Sequence, residues 1–344
     1  MSPNSSYSPP DLGGKVALVA GATRGAGRGI ALALGEAGAT VYCTGRSSRA
    51  QLRAGTHRRK NKKDLLPAEY YAGRPETIEE TAELVTARGG KGIAVVVDHL
   101  EAAQVKRLVA KIRQERRRLH VLVNDISESA EQQFGTPFWN LDVEKGLAML
   151  RNALHTHIIT SHFAAPLLTE TAKKGSSPGL IVEIGDGDSY HYRGNLFYDL
   201  IKTTVIRLAF AMARELRRRN VAALALSPGY LRSEVMLERF GVSEANWQDA
   251  IKKDPLYADS ETPFFVGRAV TALVADPAKM KKSGRVFASW TLSKEYGFCD
   301  VDGRRPYWGT LLAKKYGDCV KVCDEHFYGY WVGGPIDTIW PNWP

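Results

Sequence analysis

The sequence predicts a doubly wound α/β fold, with a parallel sheet of about seven strands, helices on both faces, and one domain with a C-terminal extension. Three observations predict it. Short apolar runs alternate with helix-length segments along most of the 344 residues. The apolar runs are near-continuous, as in strands buried on both faces. A glycine cluster joins the first apolar run to the first helical segment.

The elements follow in order. "KVALVAGA" (15–22) is a buried strand, and "GIALALGEAG" (29–38) a helix stopped by Gly38. "TVYCTG" (40–45) is the second strand. "PETIEETAELVTARGG" (75–90) is a helix with Pro at its start and Gly beyond its end. "GIAVVVD" (92–98) is the third strand, "EAAQVKRLVAKIRQERR" (101–117) a helix and "LHVLVND" (119–125) the fourth strand. A long helix is expected over 143–172, the fifth strand over 179–186, a helix over 198–219 and the sixth strand over 221–229. "RVFASW" (285–290) is a candidate seventh strand.

These elements give the expected organisation. Residues 1–10, rich in Ser and Pro, form a flexible arm. Residues 11–290 form the domain, and 291–344 an aromatic-rich extension over it or over a partner subunit. Residues 47–74 are an Arg- and Lys-rich insertion, expected as a solvated loop or as one that helps hold cofactor phosphate.

Net charge is +10, which favours anionic partners without choosing among them. No apolar run is long enough to span a bilayer. The opening residues lack a basic and an apolar segment of the secretory type, so a cytoplasmic location is expected. Basic runs at 113–118 and 214–219 have no interleaved aromatic platform, which argues against nucleic acid. Four cysteines make no disulfide framework. His155, His157 and His162 do not have metal-ligand spacing, and Cys319, Cys323 and His326 have no evident fourth ligand, so no metal is expected.

Gly21, Gly25 and Gly27 sit between the first strand and the first helix. Glycines there let the backbone approach a pyrophosphate at the helix N-terminus, and Thr23 in the same turn is a further expected contact. After the second strand an NAD site usually has Asp or Glu, to bind the ribose 2′-hydroxyl. Here Gly45 is followed by Arg46 and Ser47, and Arg24 adds a second cation. Two arginines suit a 2′-phosphate, so NADP(H) is expected over NAD(H). Asp98 is a candidate for the adenine amino group. Asn124 is a candidate for holding adjacent backbone, and either residue could simply cap its strand.

Tyr198 and Lys202 stand one helical turn apart, after the fifth strand. A neighbouring ammonium lowers a phenol's pKa, so Tyr198 could exchange a proton with a carbonyl oxygen as hydride arrives or leaves.

With Gly21, Gly25, Gly27, Asp98, "LVND" (122–125), Tyr198, Lys202 and "SPGYLRSE" (227–234), the chain resembles the short-chain dehydrogenases/reductases of single-domain Rossmann type. The resemblance implies that Tyr198 is the general acid/base and that Lys202 also holds the nicotinamide ribose. It places Pro228, Gly229 and Ser233 at the carboxamide. It also implies a homodimer or homotetramer through helices 143–172 and 198–219.

Three departures stand out. The family's Asn-Asn-Ala-Gly is Asn124-Asp125-Ile126-Ser127. The helix position of its relay Asn falls on Ala153, one residue from Asn152. Its substrate-orienting Ser falls on Asp186, with Ser189 three residues on. Asp186 could donate if protonated, accept from a substrate, or merely shape a turn, and Ser189 could swing in its place. The expected function is an NADP(H)-dependent carbonyl reductase or alcohol dehydrogenase, on a substrate expected to be apolar or aromatic. The alternative is a cofactor-binding protein, weak or inactive in catalysis, that acts as a sensor or scaffold.

Overall fold

A computed structural model describes residues 7–53, 74–127, 133–175, 177–188 and 192–316. Ser189, most of the insertion at 47–74 and the Cys319, Cys323 and His326 group lie outside the described residues.

Among the described residues there is one seven-stranded parallel sheet, ordered β3-β2-β1-β4-β5-β6-β7. The strands are β1 (Val16–Ala20), β2 (Thr40–Gly45), β3 (Lys91–Val96), β4 (Val121–Asn124), β5 (Gly179–Ile184), β6 (Val221–Ser227) and β7 (Val286–Ala288). The helices α1 (Gly25–Glu36), α2 (Arg49–Arg53), α3 (Ile78–Ala87) and α4 (Ala102–Arg116) fill the first half. Then come α5 (Val143–Leu150), α6 (Thr156–Lys174), α7 (Leu196–Leu216), α8 (Glu234–Phe240), α9 (Pro263–Ala275), α10 (Ser289–Tyr296) and α11 (Trp308–Tyr316). None of the described helices is long and apolar enough to cross a membrane.

The period-two pleat divides the core. Ala17, Val19, Val41, Val123, Val182 and Leu224 face α1 and α9. Leu18, Tyr42, Leu122, Ile181 and Ala223 face α4 and α6. Helix α1 lies very close to α9, because a Cβ on Gly29 would stand 2.1 Å from the Pro263 carbonyl oxygen. The caps match the chemistry of helix ends: Thr77 accepts from the Glu80 amide at 3.2 Å, and Thr262 caps α9 ahead of Pro263.

The long helix expected over 143–172 is α5 and α6 joined by a π-helical turn at Arg151–His155. Ala153 is buried in this turn against Met149, Ile201 and Val205, so the family's relay position carries no polar side chain. The extension packs back on its own domain as far as it is described. Asp300 accepts from the Thr262 amide at 2.8 Å, and the Trp308 ring meets Tyr230 at 5.3 Å.

Strand order reverses between β1 and β4, whose ends Ala20 and Asn124 are in register. A cleft at this switch point, beyond the C-terminal strand ends, is where an open α/β sheet holds its ligand.

Candidate active site

The turn after β1 is a cradle only glycine can form. Gly21 has φ +92° and Gly25 φ +58°, and a Cβ on Gly27 would stand 2.3 Å from the Gly21 oxygen. Its amides already attract anions. The Gly25 N–H donates to Glu234 Oε2 at 2.8 Å, and Gly27 N–H donates to Asp125 Oδ2 at 2.5 Å. Two carboxylates at one helix N-terminus act as internal stand-ins for a phosphate. Burial raises the Asp125 carboxyl to about 7, against the opposing pull of Lys202 and the Gly27 amide. The residues therefore suit the pyrophosphate of a dinucleotide.

Thr23 is buried against Gly45, with its hydroxyl 2.7 Å from where a Gly45 Cβ would lie. Arg24 donates to Ser47 Oγ at 3.3 Å, and Arg46 is exposed on the same turn. The structure adds an acid that sequence reasoning missed. Glu76 Oε2 lies 3.4 Å from Arg24 Nε, and Arg74 grips both Glu76 oxygens at 2.8 and 3.1 Å. Glu76 falls in the first turn of the helix expected over 75–90. Nothing in a separation of 52 residues signals its contact with Arg24.

The two other strand-end candidates are held by different partners. Asn124 is fully buried, and its amide donates to Glu183 at 2.7 Å and Ser161 at 2.9 Å rather than to adjacent backbone. Glu183 pairs with His157 Nδ1 at 2.6 Å, and the other ring nitrogen of His157 faces the Ile126 carbonyl. His157 thus braces the loop after β4, whereas His155 and His162 are exposed. Asp98 accepts from the Leu100 amide at 2.9 Å in a local turn.

At the other end of the cleft, Asn195 caps α7 by accepting from the Tyr198 amide at 3.1 Å. This presents Tyr198 and Lys202 on one helix face, with the ammonium 5.4 Å from the phenol ring centre. The Tyr198 hydroxyl donates to Asp186 Oδ2. Asp186 and Gly187 are held in place from both sides. Gly187 N–H donates to Ser227 Oγ at 2.6 Å, and Arg193 Nε donates to the Asp186 carbonyl at 2.7 Å. Arg193 also pairs with Asp199, in the first turn of α7, at 3.0 Å. Sequence reasoning passed over Arg193, since an arginine in a loop carries no signal by itself.

The electrostatics reverse one expectation. Burial, then the Asp186 charge and its hydrogen bond, push the Tyr198 phenol well above its ordinary pKa of 10.0, with Arg193 opposing. Burial also lowers the pKa of Lys202, against Asp186 and Asp125. The phenol therefore holds its proton.

Pro228 and Gly229 follow β6. Gly229 lies beneath Trp308 and against Glu261, whose Oε2 would be 2.8 Å from a Cβ there. Ser233 caps α8, accepting from the Met236 amide at 3.4 Å. Burial raises the Glu261 carboxyl from 4.5 to about 8, with the Ser289 hydroxyl opposing at 2.6 Å. Between those values the folded chain keeps a proton that the unfolded chain releases. The contribution is thus full below about 4.5 and lost as pH rises through about 8. The unfolding free energy of the wild type, from urea melts, should fall relative to Glu261→Gln across this window, by at most about 1.4 kcal/mol per pH unit. Parallel curves for the two proteins would reject that assignment.

A family model described as enoyl-(acyl carrier protein) reductase matches residues 68–286, more than half of the chain. Dehydrogenase/reductase SDR family member 1 of Mus musculus is 32% identical over 297 residues, covering 85% of this chain and 84% of that protein. Among solved structures, a short-chain dehydrogenase of Mycobacterium thermoresistibile superposes with TM-score 0.66 at 19% identity, over 87% of this chain and 93% of that one. An NADH-dependent reductase of alginate metabolism superposes with TM-score 0.58 at 17% identity, over 80% and 96%. At these identities the structural likeness establishes the fold and leaves the choice of nucleotide to the site.

Proposed function

The chain belongs to the short-chain dehydrogenase/reductase superfamily, whose oxidoreductases interconvert carbonyls and alcohols, and from that premise we propose that it works with NADP(H) and uses Tyr198 as its acid/base. One observation carries the reading: the Tyr198 hydroxyl, Asp186 and the Lys202 ammonium converge at the strand ends beside a glycine cradle. A bound nicotinamide would supply or accept the hydride. Gly21, Gly25 and Gly27 would hold the pyrophosphate, with the Glu234 carboxylate giving way to it. Arg24, Arg46 and Ser47 would hold the 2′-phosphate, and Lys202 the nicotinamide ribose. Pro228 and Gly229 would face the carboxamide.

In reduction, the Tyr198 O–H breaks towards the carbonyl oxygen while a proton held on Asp186 passes to Tyr198 Oη. In oxidation, the alcohol O–H breaks towards Tyr198 Oη while the Tyr198 O–H breaks towards Asp186 Oδ2. Asp186 thus orients the phenol and takes the proton it releases. A carboxylate cannot donate to a developing alkoxide, so Asp186 acts on the substrate oxygen through the Tyr198 hydroxyl. Phe134, 55% exposed, meets the Tyr198 ring edge-on at 5.7 Å, which supports an apolar or aromatic substrate. Val143, Leu147, Ile158 and Leu200 are exposed along α5, α6 and α7, which supports a homo-oligomer through those helices.

The same carboxylate favours the second reading, a protein that binds cofactor without turnover, because it puts an acceptor where family chemistry uses a donor. Cofactor oxidation and reduction over panels of ketones, aldehydes and secondary alcohols separates the two. Turnover is expected, faster with NADP(H) than with NAD(H). Tight NADPH binding with no turnover in either direction would select the sensor.

A further inference from the structure

We propose that the Arg74–Glu76 pair decides which nucleotide this protein accepts, with Arg74 silencing an acid that would otherwise select NAD(H). The inference rests on the NADP(H) reading above and deepens it.

A carboxylate beside the ribose is the feature that selects a 2′-hydroxyl and repels a 2′-phosphate. The turn after β2 has none in sequence, but the fold supplies one from the segment before α3. The Glu76 side chain is 9% exposed and lies 3.4 Å from Arg24, which itself reaches Ser47. The Ile78 amide donates to the Ser47 carbonyl at 3.1 Å, so the two segments are joined by backbone. Glu76 therefore belongs to the same pocket as the candidate phosphate ligands.

Its charge is offset there. The Arg74 guanidinium binds both Glu76 oxygens, through Nε at 3.1 Å and a terminal nitrogen at 2.8 Å, and is itself 9% exposed. Its remaining terminal nitrogen binds Glu238 on α8. A carboxylate held by a fork of two donors offers little to a ribose hydroxyl and repels a phosphate weakly. Without that fork, Glu76 keeps its place next to Arg24 and competes for it. The pocket then presents an acid to the ribose, as an NAD(H) site does. Position 74 therefore sets the electrostatic sign of the pocket without needing to touch the nucleotide.

The test is equilibrium binding of NADPH and NADH to the full chain, read by nucleotide fluorescence, without any turnover. Arg74→Met should weaken NADPH about tenfold and tighten NADH severalfold. Arg74→Met with Glu76→Gln should recover NADPH binding, since the unpaired charge is gone. Glu238→Gln removes the other partner of Arg74 and should leave the preference unchanged. Should Arg74→Met not fold, Glu76→Gln alone serves: it releases both arginines towards phosphate and should tighten NADPH while NADH stays level or weakens. A wild type that prefers NADPH, with the ratio unmoved in Arg74→Met or unrescued in the double variant, overturns the inference and leaves the NADP(H) reading standing. If only Glu76→Gln can be measured, an unchanged ratio overturns it. A wild type that prefers NADH overturns both.

Discussion

Tyr198→Phe should abolish turnover while leaving nucleotide binding intact. The variant keeps the ring, its edge contact with Phe134 at 5.7 Å and its place over Lys202, and loses only the hydroxyl that donates to Asp186. General acid/base catalysis of this kind is worth about two to four orders of magnitude, and Tyr198 is the placed group that can supply it. The loss should fall in kcat, with the NADPH Kd within about twofold of wild type. Retention of most of the activity would mean that the proton comes from elsewhere, and the acid/base assignment would fail.

Substituting Asp186 should change the pH dependence as well as the rate. Three influences keep the Tyr198 phenol protonated: burial, the Asp186 charge and the hydrogen bond to Asp186. Asp186→Ser removes the second and third, so the phenol ionises at lower pH than in the wild type. Oxidation, which loses Asp186 as the destination of the proton, should slow wherever the phenol is still protonated and recover only once it ionises. Reduction, which needs the donor, should decline from lower pH. Serine also restores a hydroxyl donor towards a carbonyl oxygen, so reduction below that decline should be faster, by about tenfold. Asp186→Asn should move the profile in the same direction, since it removes the charge at similar shape. Phenolate absorbance of the nucleotide-free protein, with Tyr198→Phe as the blank, reads the same shift without turnover. An unmoved titration in both variants would show that Asp186 does not control the phenol.

How much of this was legible depends on where each cause resides. The strand sequence was legible because near-continuous Val, Ile, Leu and Ala runs are what a doubly covered sheet requires. The glycine cradle was legible because a tight strand-to-helix turn demands φ values and close approaches that other residues resist. Tyr198 and Lys202 were legible because a helix fixes the geometry of residues four apart. The π-helical turn at Arg151–His155 was not, and it lies where counting along the helix put Ala153 and Asn152 side by side as candidates.

By itself, then, the sequence determined the sheet, the cradle and the acid/base helix, because each follows from local periodicity or from one residue's backbone freedom. The electrostatics of the two ends of the site came from residues that folding brings together. Folding brought Glu76 to Arg24 across 52 residues and drew Glu234 onto the Gly25 amide. It also buried Tyr198 and turned Asp186 towards it, so that the expected lowering of the phenol's pKa became a rise. Charge and desolvation act through space, and their sum at a site depends on what the fold assembles there.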